Sequence, residues 1–215
     1  MLIRWHGHAC FELRSEKGVT VVIDPHDGYS LGIEPPDVKA DYILITHEHF
    51  DHNATNVVAK PTSKIVRMRS GEFSLNDIKV VGVRAYHDRV RGRRRGEVVM
   101  YRLLIDGIYV THLGDLGHVL TDEQIKKLTP TNVLLIPVGG TFTIEPHEAW
   151  EVARVLRPNI VVPMHYWVSG MNLPLKPVDN FLKLVTWEVI KLGAREFEIT
   201  KESLPTESRV FLLKY

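Results

Sequence analysis

One hexapeptide limits what this 215-residue chain can fold into more than any other feature: residues 47–52 read His-Glu-His-Phe-Asp-His. Three imidazoles and a carboxylate this close together are costly to bury unless a cation neutralises them. The segment follows Tyr42–Ile45, a short and almost wholly apolar run that predicts a buried strand. A loop leaving a buried strand can turn alternate side chains in different directions. The first two histidines could therefore serve one metal ion, while the aspartate and the last histidine serve another.

The rest of the composition narrows the kind of site that the chain can build. There are 11 histidines but a single cysteine, Cys10, so an internal disulfide and zinc sites made of several cysteines are excluded. A metal site would have to use imidazole and carboxylate. The net charge of +1 gives no overall attraction to nucleic acid or anionic lipid. The first residues lack the apolar run of a signal peptide, and no stretch reaches the roughly 18 apolar residues of a membrane span. We expect a soluble, cytoplasmic protein with no membrane partner.

Strands dominate the first half of the sequence, and strands alternate with helices in the second half. Asp106-Gly107 is the strongest hairpin signal, because Asp-Gly suits a two-residue turn between strands. We find no internal repeat or linker and therefore expect one α/β domain, residues 1–215, in which sheets pack together and helices cover them. The predicted strands are Leu2–Trp5, Ala9–Arg14, Val19–Ile23, Tyr42–Ile45, Lys64–Arg67, Glu72–Leu75, Ile78–Ala85, Glu97–Ile105, Ile108–Thr111, Val133–Ile136, Ile160–Val162 and Arg209–Leu213.

Three helices are predicted in the second half. A capping-box pattern at Thr121–Gln124 opens a short helix to Leu128. Pro146 fits the first position of a second helix, whose apolar residues fall on one face as far as Leu156. A third, longer helix is expected to end at Gly193. Its apolar face would consist of Val178, Phe181, Leu182, Val185, Val189 and Leu192.

Additional metal ligands are expected just past later strands, where α/β folds usually carry their functional groups. His87, Asp115 and His165 each occupy such a position, and glycines flank the segment around Asp115 so that the backbone can approach a ligand closely. Asp106 is an alternative to Asp115, although its turn already explains it. His112 is an alternative to His87.

Together these residues resemble the metallo-β-lactamase-fold superfamily, and the resemblance covers nearly the whole chain. It implies a four-layer αβ/βα sandwich with the site at one edge, between two sheets. The details are most similar to the metal-dependent hydrolase branch related to ascorbate-phosphate lactonase. The segments that carry this narrower likeness are His6–Ala9, Val138–Thr141 and Pro163–Tyr166. The ligand-type residues that carry the broader likeness are Asp24, His47, His49, Asp51, His52, His87, Asp115 and His165.

The resemblance also implies a role for each of these residues. Asp115 would bridge two metal ions, and Asp24 would orient a ligand imidazole or the loop. Asp115 and Asp51 are the expected catalytic residues. The cofactor would be two divalent metal ions, with zinc expected first and manganese or iron as alternatives. The expected ligands are His47, His49 and His87 for the first ion, and Asp51, His52 and His165 for the second.

Some histidines outside this set are candidates for contacts with substrate. His8 shares a predicted strand face with His6 and could reach the mouth of the site. His118 follows Asp115 by three residues. His26 lies just past an early strand and could lie near the metal ions, whereas His147 in the first turn of a helix is expected to be solvated.

Five arginines lie between residues 89 and 95, directly after His87. Arginine clusters bind phosphate through charge-assisted and often bidentate hydrogen bonds. Arg93 and Arg94 are therefore candidate contacts for an anionic substrate. The alternative is a solvated, mobile loop without a binding role.

These features favour hydrolysis, by a dinuclear metal-bound hydroxide, of a small ester, lactone or amide that could carry phosphate. Phosphodiester cleavage of a nucleotide or RNA is the alternative. A di-iron or persulfide-type oxidoreductase is a further alternative, and a non-catalytic metal-binding protein is a fourth. The expected partner is a small molecule, and the sequence sets neither the substrate nor the oligomeric state.

Overall fold

The computed structural model describes residues 1–215 and contains two mixed β-sheets. The strands of the first sheet are β1 (Leu2–Trp5), β2 (Phe11–Arg14), β3 (Thr20–Ile23), β4 (Ala40–Ile45), β5 (Ala59–Arg67) and β13 (Glu196–Glu198). The strands of the second sheet are β6 (Gly71–Leu75), β7 (Ile78–Tyr86), β8 (Glu97–Ile105), β9 (Ile108–His112), β10 (Val133–Pro137), β11 (Ile160–Met164), β12 (Glu188–Lys191) and β14 (Arg209–Leu212). Their order is β13-β1-β2-β3-β4-β5 in the first sheet and β12-β14-β11-β10-β9-β8-β7-β6 in the second.

The two sheets pack on a shared apolar core, because side chains alternate between the two faces of each strand. Val21 and Ile23 of β3 point into the large cluster that also contains most of the buried residues of the second sheet. Val22, between them, points to the other face and joins a smaller cluster with Val58. The first sheet is therefore buried on both faces, which explains why β3 and β4 are apolar runs rather than alternating ones.

The helices are few and short. They are α1 (Thr55–Val58), α2 (Asp122–Leu128), α3 (Pro146–Leu156) and α4 (Asp179–Leu182), with a 3₁₀ turn at Tyr29–Leu31. Helix α1 lies against β4 and β5, α2 against β7, and α3 against β10. This arrangement of sheets and helices is consistent with the expected αβ/βα sandwich. None of the helices is long and apolar enough to cross a membrane.

Local sequence signals place α2, α3 and the hairpin correctly. The hydroxyl of Thr121 accepts a hydrogen bond from the backbone of Gln124, whose side chain accepts one from the backbone of Thr121. Pro146 begins α3. Strands β8 and β9 pair antiparallel with Ile105 opposite Ile108, so Asp106-Gly107 forms the predicted two-residue turn.

The long helix predicted to end at Gly193 is wrong. Only α4 forms there, and Glu188–Lys191 is strand β12, which pairs in parallel with β14. Val189 lies opposite Val210. β-Branched and aromatic side chains between Val185 and Ile190 suit an extended strand, and pairing with a sheet edge outweighs the helical spacing of the apolar residues. Strand β13 was also not predicted.

The strand directions bring several chain segments to one edge of the molecule. Strands β3 and β4 are parallel in the first sheet, and β9, β10 and β11 are parallel in the second. Strand β7 runs in the same direction as β9, because each is antiparallel to β8. The two sheets are joined at this edge by a hydrogen bond from the backbone N–H of Val99 to the carbonyl of Thr46, 2.9 Å long.

Candidate metal centre

The ends of these strands carry the residues that the sequence singles out. Asp24 follows β3, residues 47–52 follow β4, and His87 follows β7. Asp115 lies three residues beyond β9, and His165 directly follows β11. Side chains distant in sequence therefore meet at one edge, between the two sheets.

The nitrogen and oxygen donors form two groups that share no residue, and within each the donor atoms lie within 4.8 Å of one another. We call them the first and second donor groups. A third group, Asp24, His47 and His52, overlaps both of them. All four members of the second group are buried. In the first group His47 and His87 are buried and His49 is half-buried, so the first group is the more accessible to solvent. The first donor group is His47, His49 and His87, and the second is His8, Asp51, His52 and His165.

Asp115 lies between the two donor groups. Its Oδ2 atom is 3.1 Å from Nε2 of His87 and 3.7 Å from Nε2 of His47 in the first group. The same oxygen is 3.2 Å from Nε2 of His165 and 3.4 Å from Nε2 of His52 in the second group. One carboxylate thus faces imidazoles of both groups at nearly equal distances, which is the position that a bridging ligand needs.

Asp24 orients one imidazole of each group. Its Oδ2 atom accepts hydrogen bonds from Nδ1 of His52 (3.0 Å) and from the hydroxyl of Thr46 (2.6 Å), and its Oδ1 accepts one from the backbone N–H of Thr46. The oxygen of that hydroxyl accepts in turn from Nδ1 of His47 at 3.0 Å. With Nδ1 donating in both rings, the lone pairs on Nε2 of His47 and His52 point toward Asp115.

The donor set fits divalent cations. Nε2 of His47, Nε2 of His165 and Oδ1 of Asp115 are buried and have no hydrogen-bond partner. Buried polar atoms are almost always paired, so a cluster of unpaired ones calls for a partner of another kind. Cations bound at the two donor groups would satisfy Nε2 of His47 and Nε2 of His165, and imidazole and carboxylate are suitable ligands for zinc, iron or manganese.

Charge supports the same conclusion. Burial, together with neighbouring imidazoles, lowers the pKa of His8 to about 3 and that of His47 to about 2. Burial alone would raise the pKa of Asp51 and of Asp115, but the histidines around them hold both below the ordinary value. The pKa of His52 moves the other way, because the carboxylates of Asp115 and Asp51 raise it well above the ordinary value although burial alone would lower it. Ionised carboxylates beside the uncharged rings of His8 and His47 suit the binding of cations.

His8 occupies a different place from the one its sequence position suggested. Strand β1 ends at Trp5, and both Gly7 (φ 92°) and His8 (φ 52°) have left-handed backbone conformations. The chain turns there, so His6 points to Glu12 while His8 Nε2 lies 3.0 Å from Asp51 Oδ2 and 3.2 Å from His52 Nε2. The prediction that the two histidines share a strand face is wrong, because period-two alternation does not hold across this turn.

Backbone strain marks the same positions. His8, Asp24 and His165 all have positive φ values near 50°, which is unfavourable for residues other than glycine. Such conformations concentrate at functional sites, where the surrounding structure holds them. The backbone N–H of His165 donates to the carbonyl of His8 at 3.0 Å, so two strained residues support one another.

Most other histidines have partners outside the centre. Nε2 of His26 bonds to the carbonyl of His6, and Nε2 of His112 bonds to the carbonyl of Ala9 at 2.8 Å. His118 accepts from the backbone N–H of Tyr86 and donates to the carbonyl of Val119, so neither ring nitrogen is free for a substrate. His147 is exposed on α3, as expected.

The alternatives to the expected ligands lie elsewhere. His112 belongs to neither donor group, and its Nδ1 accepts from the backbone of Gly114. Asp106 accepts from the backbone of Glu16 in the hairpin region. Arg94 lines a cavity that includes His87, whereas Arg93 does not.

Comparison with known proteins identifies the family. Residues 2–165 match the beta-lactamase superfamily domain. A UPF0173 metal-dependent hydrolase of Thermococcus onnurineus is 32% identical over 189 residues, covering 76% of this chain and 84% of that protein. Another, of Thermoplasma acidophilum, is 31% identical over 191 residues, covering 76% of this chain and 82% of that protein.

A solved structure agrees over the whole chain. A candidate Zn-dependent hydrolase of the metallo-β-lactamase superfamily from Thermotoga maritima superposes with a TM-score of 0.77 at 36% identity. The alignment covers 99% of this chain and 97% of that one. The family match, the relatives and the common fold agree with the strand-end cluster of histidines and aspartates, and this chain therefore belongs to the metallo-β-lactamase superfamily.

Proposed function

We propose that the protein is a metal-dependent hydrolase that uses two divalent cations to cleave a small ester, lactone or amide. The observation that carries this proposal is the position of Asp115, whose Oδ2 atom faces imidazoles of both donor groups at 3.1 to 3.7 Å. A single-ion site would not need one carboxylate between two sets of donors. Relatives that cover most of this chain are named metal-dependent hydrolases, which supports the same class of reaction.

Each part of the donor set has a distinct task. His47, His49 and His87 would hold one ion, and Asp51, His52 and His165 the other, with Asp115 between them. Bound cations supply Lewis acidity and a water of lowered pKa in such sites. Oδ1 of Asp115 is buried without a partner and can accept a hydrogen bond from the attacking water, which would orient it. Asp24 orients the imidazole of His52 by a direct hydrogen bond and that of His47 through the hydroxyl of Thr46.

The two donor groups differ in their access to substrate. His49 of the first group is only half-buried, whereas the second group is buried throughout. The second group also has a fourth donor, because His8 lies against Asp51 and His52. Catalytic metal sites keep an open coordination position, whereas fully ligated ones serve structure. The first donor group is therefore the side from which a substrate would approach.

Phosphodiester cleavage is the second candidate. The observation that favours it is the group of arginines beside His87, since phosphate esters are anionic at neutral pH. Hydrolysis of a carboxylic ester or lactone requires the same donor set, so the choice depends on the substrate rather than on the centre.

A substrate panel tests the proposal. Carboxylic esters, lactones, thioesters and phosphodiesters would be offered to the zinc-, manganese- and iron-loaded protein, with Asp51→Ala as the inactive variant and His147→Ala as the matched control on the surface. We expect turnover of a carbonyl substrate that Asp51→Ala abolishes and His147→Ala keeps. Turnover of phosphodiesters alone would establish the second candidate. Oxygen consumption that depends on iron, without hydrolysis, would overturn both.

A further inference from the structure

The basic loop, residues 89–95, is held in one shape by the buried side chain of Asp88. One carboxylate oxygen of Asp88 accepts hydrogen bonds from the backbone N–H groups of Val90 and Gly92, each 2.8 Å long. The other oxygen accepts from the backbone N–H groups of Arg94 and Arg95, also at 2.8 Å. The backbone of the loop is therefore an organised structure, from which the arginine side chains project.

The charges around this loop are unevenly compensated. Arg89 pairs with Glu148 at 2.5 Å, and Glu145 pairs with Lys176. The Asp88 carboxylate is occupied by backbone amides. Arg94 and Arg95 have no carboxylate within 4.0 Å, and the guanidinium of Arg95 stacks over the ring of Phe142 at 4.4 Å. Arg91 and Arg93 also lack a carboxylate partner, but of the four unpaired arginines in the loop only Arg94 and Arg95 line the cavity beside His87.

These two arginines line a cavity of about 440 Å³. One wall is the basic loop, and the other is the segment around Phe142. His87 also lines it, and Nε2 of His87 is 3.1 Å from Asp115 Oδ2. Its volume is that of a site for one small molecule rather than a groove for a polynucleotide strand.

Gly117 allows close backbone packing between the segment after Asp115 and residues 87–88 at the start of the basic loop. A Cβ atom on Gly117 would lie 2.3 Å from the backbone N of Asp88 and 2.3 Å from the carbonyl carbon of His87. The segment after Asp115 therefore packs directly on the backbone that carries both the metal ligand His87 and the loop anchor Asp88. The two arginines and His87 of the first donor group therefore border the same cavity.

We propose that Arg94 and Arg95 bind an oxyanion of the substrate, a phosphate or carboxylate group on the molecule that the centre cleaves. That the bound molecule is the substrate of a hydrolase rests on the proposed function. That Arg94 and Arg95 bind an oxyanion does not depend on it. Planar guanidinium groups without carboxylate partners form short, charge-assisted hydrogen bonds to such oxyanions. The substrate class is thus an anionic small ester or lactone, with the anionic group a short distance from the scissile bond.

Calorimetry with inorganic phosphate and, separately, acetate tests anion binding without turnover. Chelator-treated protein is used, so that metal ions do not bind the anion, alongside the double variant Arg94→Ala/Arg95→Ala and the control Arg91→Ala from the same loop. We expect the double variant to weaken binding by roughly tenfold or more, as loss of hydrogen bonds to charged groups does, and Arg91→Ala to match wild type. Which anion binds more tightly distinguishes phosphate from carboxylate. Equal binding by all three proteins would overturn the proposal.

Kinetics on paired substrates connect the anion site to the reaction. The pair would be one ester with a phosphate or carboxylate group and its neutral isostere. We expect the double variant to raise KM for the anionic ester only, with kcat preserved. If esters are hydrolysed but the double variant changes neither anion binding nor KM, the anion site is wrong and the hydrolase stands. If phosphate binds as expected but no substrate is hydrolysed, the proposed function fails instead. Binding of a single-stranded RNA that Arg91→Ala weakens as much as the double variant would indicate a polynucleotide surface and overturn the proposal.

Discussion

An imidazole binds a metal ion through the ring nitrogen that carries a free lone pair. At the candidate centre, single hydrogen bonds to Nδ1 leave Nε2 of His47 and of His52 as that nitrogen. Thr46 orients His47, because the Thr46 hydroxyl donates a hydrogen bond to Asp24 and accepts one from His47. The members of the two donor groups other than His8 were predictable from the sequence, since the histidine-rich hexapeptide and the strand-end positions mark them. Thr46 was not, because a threonine before a histidine carries no signal until the two side chains are seen to touch.

Replacing Thr46 with valine preserves the shape of the side chain and removes these hydrogen bonds. We expect the affinity for metal to fall by about 10- to 100-fold, the usual effect of losing a group that orients a metal ligand. Competition titration with a fluorescent chelator measures this affinity. Thr111→Val removes another buried hydroxyl, one that bonds to Thr131 away from the centre, and is the matched control. Equal affinities in the two variants would contradict the orienting role.

His8 gives a second residue-scale prediction. His8→Ala should weaken or abolish binding at the second donor group, because Nε2 of His8 lies with Asp51 and His52. His26→Ala removes an equally buried histidine that bonds to backbone instead, so it should cost stability but leave metal content unchanged. The number of metal ions per chain in the purified, metal-saturated variants measures this difference. Full metal content and unchanged affinity in His8→Ala would show that His8 is a packing residue only.

At the scale of the elements, sequence patterns located most strands but misread one segment. Signals carried by neighbouring residues, such as the capping box of α2 and the Asp-Gly turn between β8 and β9, predicted the structure correctly. The segment from Val185 to Lys191 failed, because its conformation depends on pairing with β14, which is formed by residues far along the chain. The sequence also did not predict where backbone segments pack closely, because a glycine in a sequence does not indicate which distant segment it contacts.

Gly139 is such a close approach. A Cβ atom there would lie 2.1 Å from the carbonyl oxygen of His165. We expect Gly139→Ala to shift the segment that carries this ligand, lowering both thermal stability and metal affinity. Gly82→Ala is the control, because its Cβ would meet the carbonyl oxygen of Arg69 at the same 2.1 Å, away from the centre. That control should lose stability and keep its metal affinity, as measured by calorimetry and chelator competition. Equal metal affinity in both variants would contradict the prediction.

The buried carboxylate of Glu12 on β2 predicts sensitivity to acid. Burial would raise the pKa of Glu12, but His6 and Arg14 lower it below the ordinary value of 4.5. The carboxylate therefore stabilises the fold above that value, and this contribution is lost as the pH falls through the lowered pKa. Glu12→Gln should cost about 1–3 kcal/mol at neutral pH, and the difference should shrink below pH 4.5.

Denaturant unfolding at a series of pH values measures this difference. Glu202→Gln, at an exposed position without an ion pair, is the control and should show little difference at any pH. A difference between wild type and Glu12→Gln that stays constant from pH 7 to pH 3 would show that Glu12 contributes by packing alone.

The whole molecule consists of two sheets that share one core and meet at the metal centre. Asp24, His52 and Thr46 belong to segments of the first sheet, whereas His87, Asp115 and His165 belong to segments of the second. Neither sheet alone contains a complete set of ligands for the bridged site. Bound cations would therefore join the sheets as well as supply the chemistry, and their binding energy would stabilise the folded state. Membership of the superfamily agrees with this arrangement, and the resemblance in the sequence was sufficient to predict the sandwich.

The number of metal ions bound per chain tests the central claim most directly. Chelator-treated protein would be saturated with zinc, freed of excess metal by gel filtration and analysed by inductively coupled plasma mass spectrometry against protein concentration from amino-acid analysis. Two donor groups with Asp115 between them predict two ions per chain in the wild type, and fewer in Asp115→Ala. A wild-type protein that binds one ion or none under these conditions would contradict the dinuclear centre.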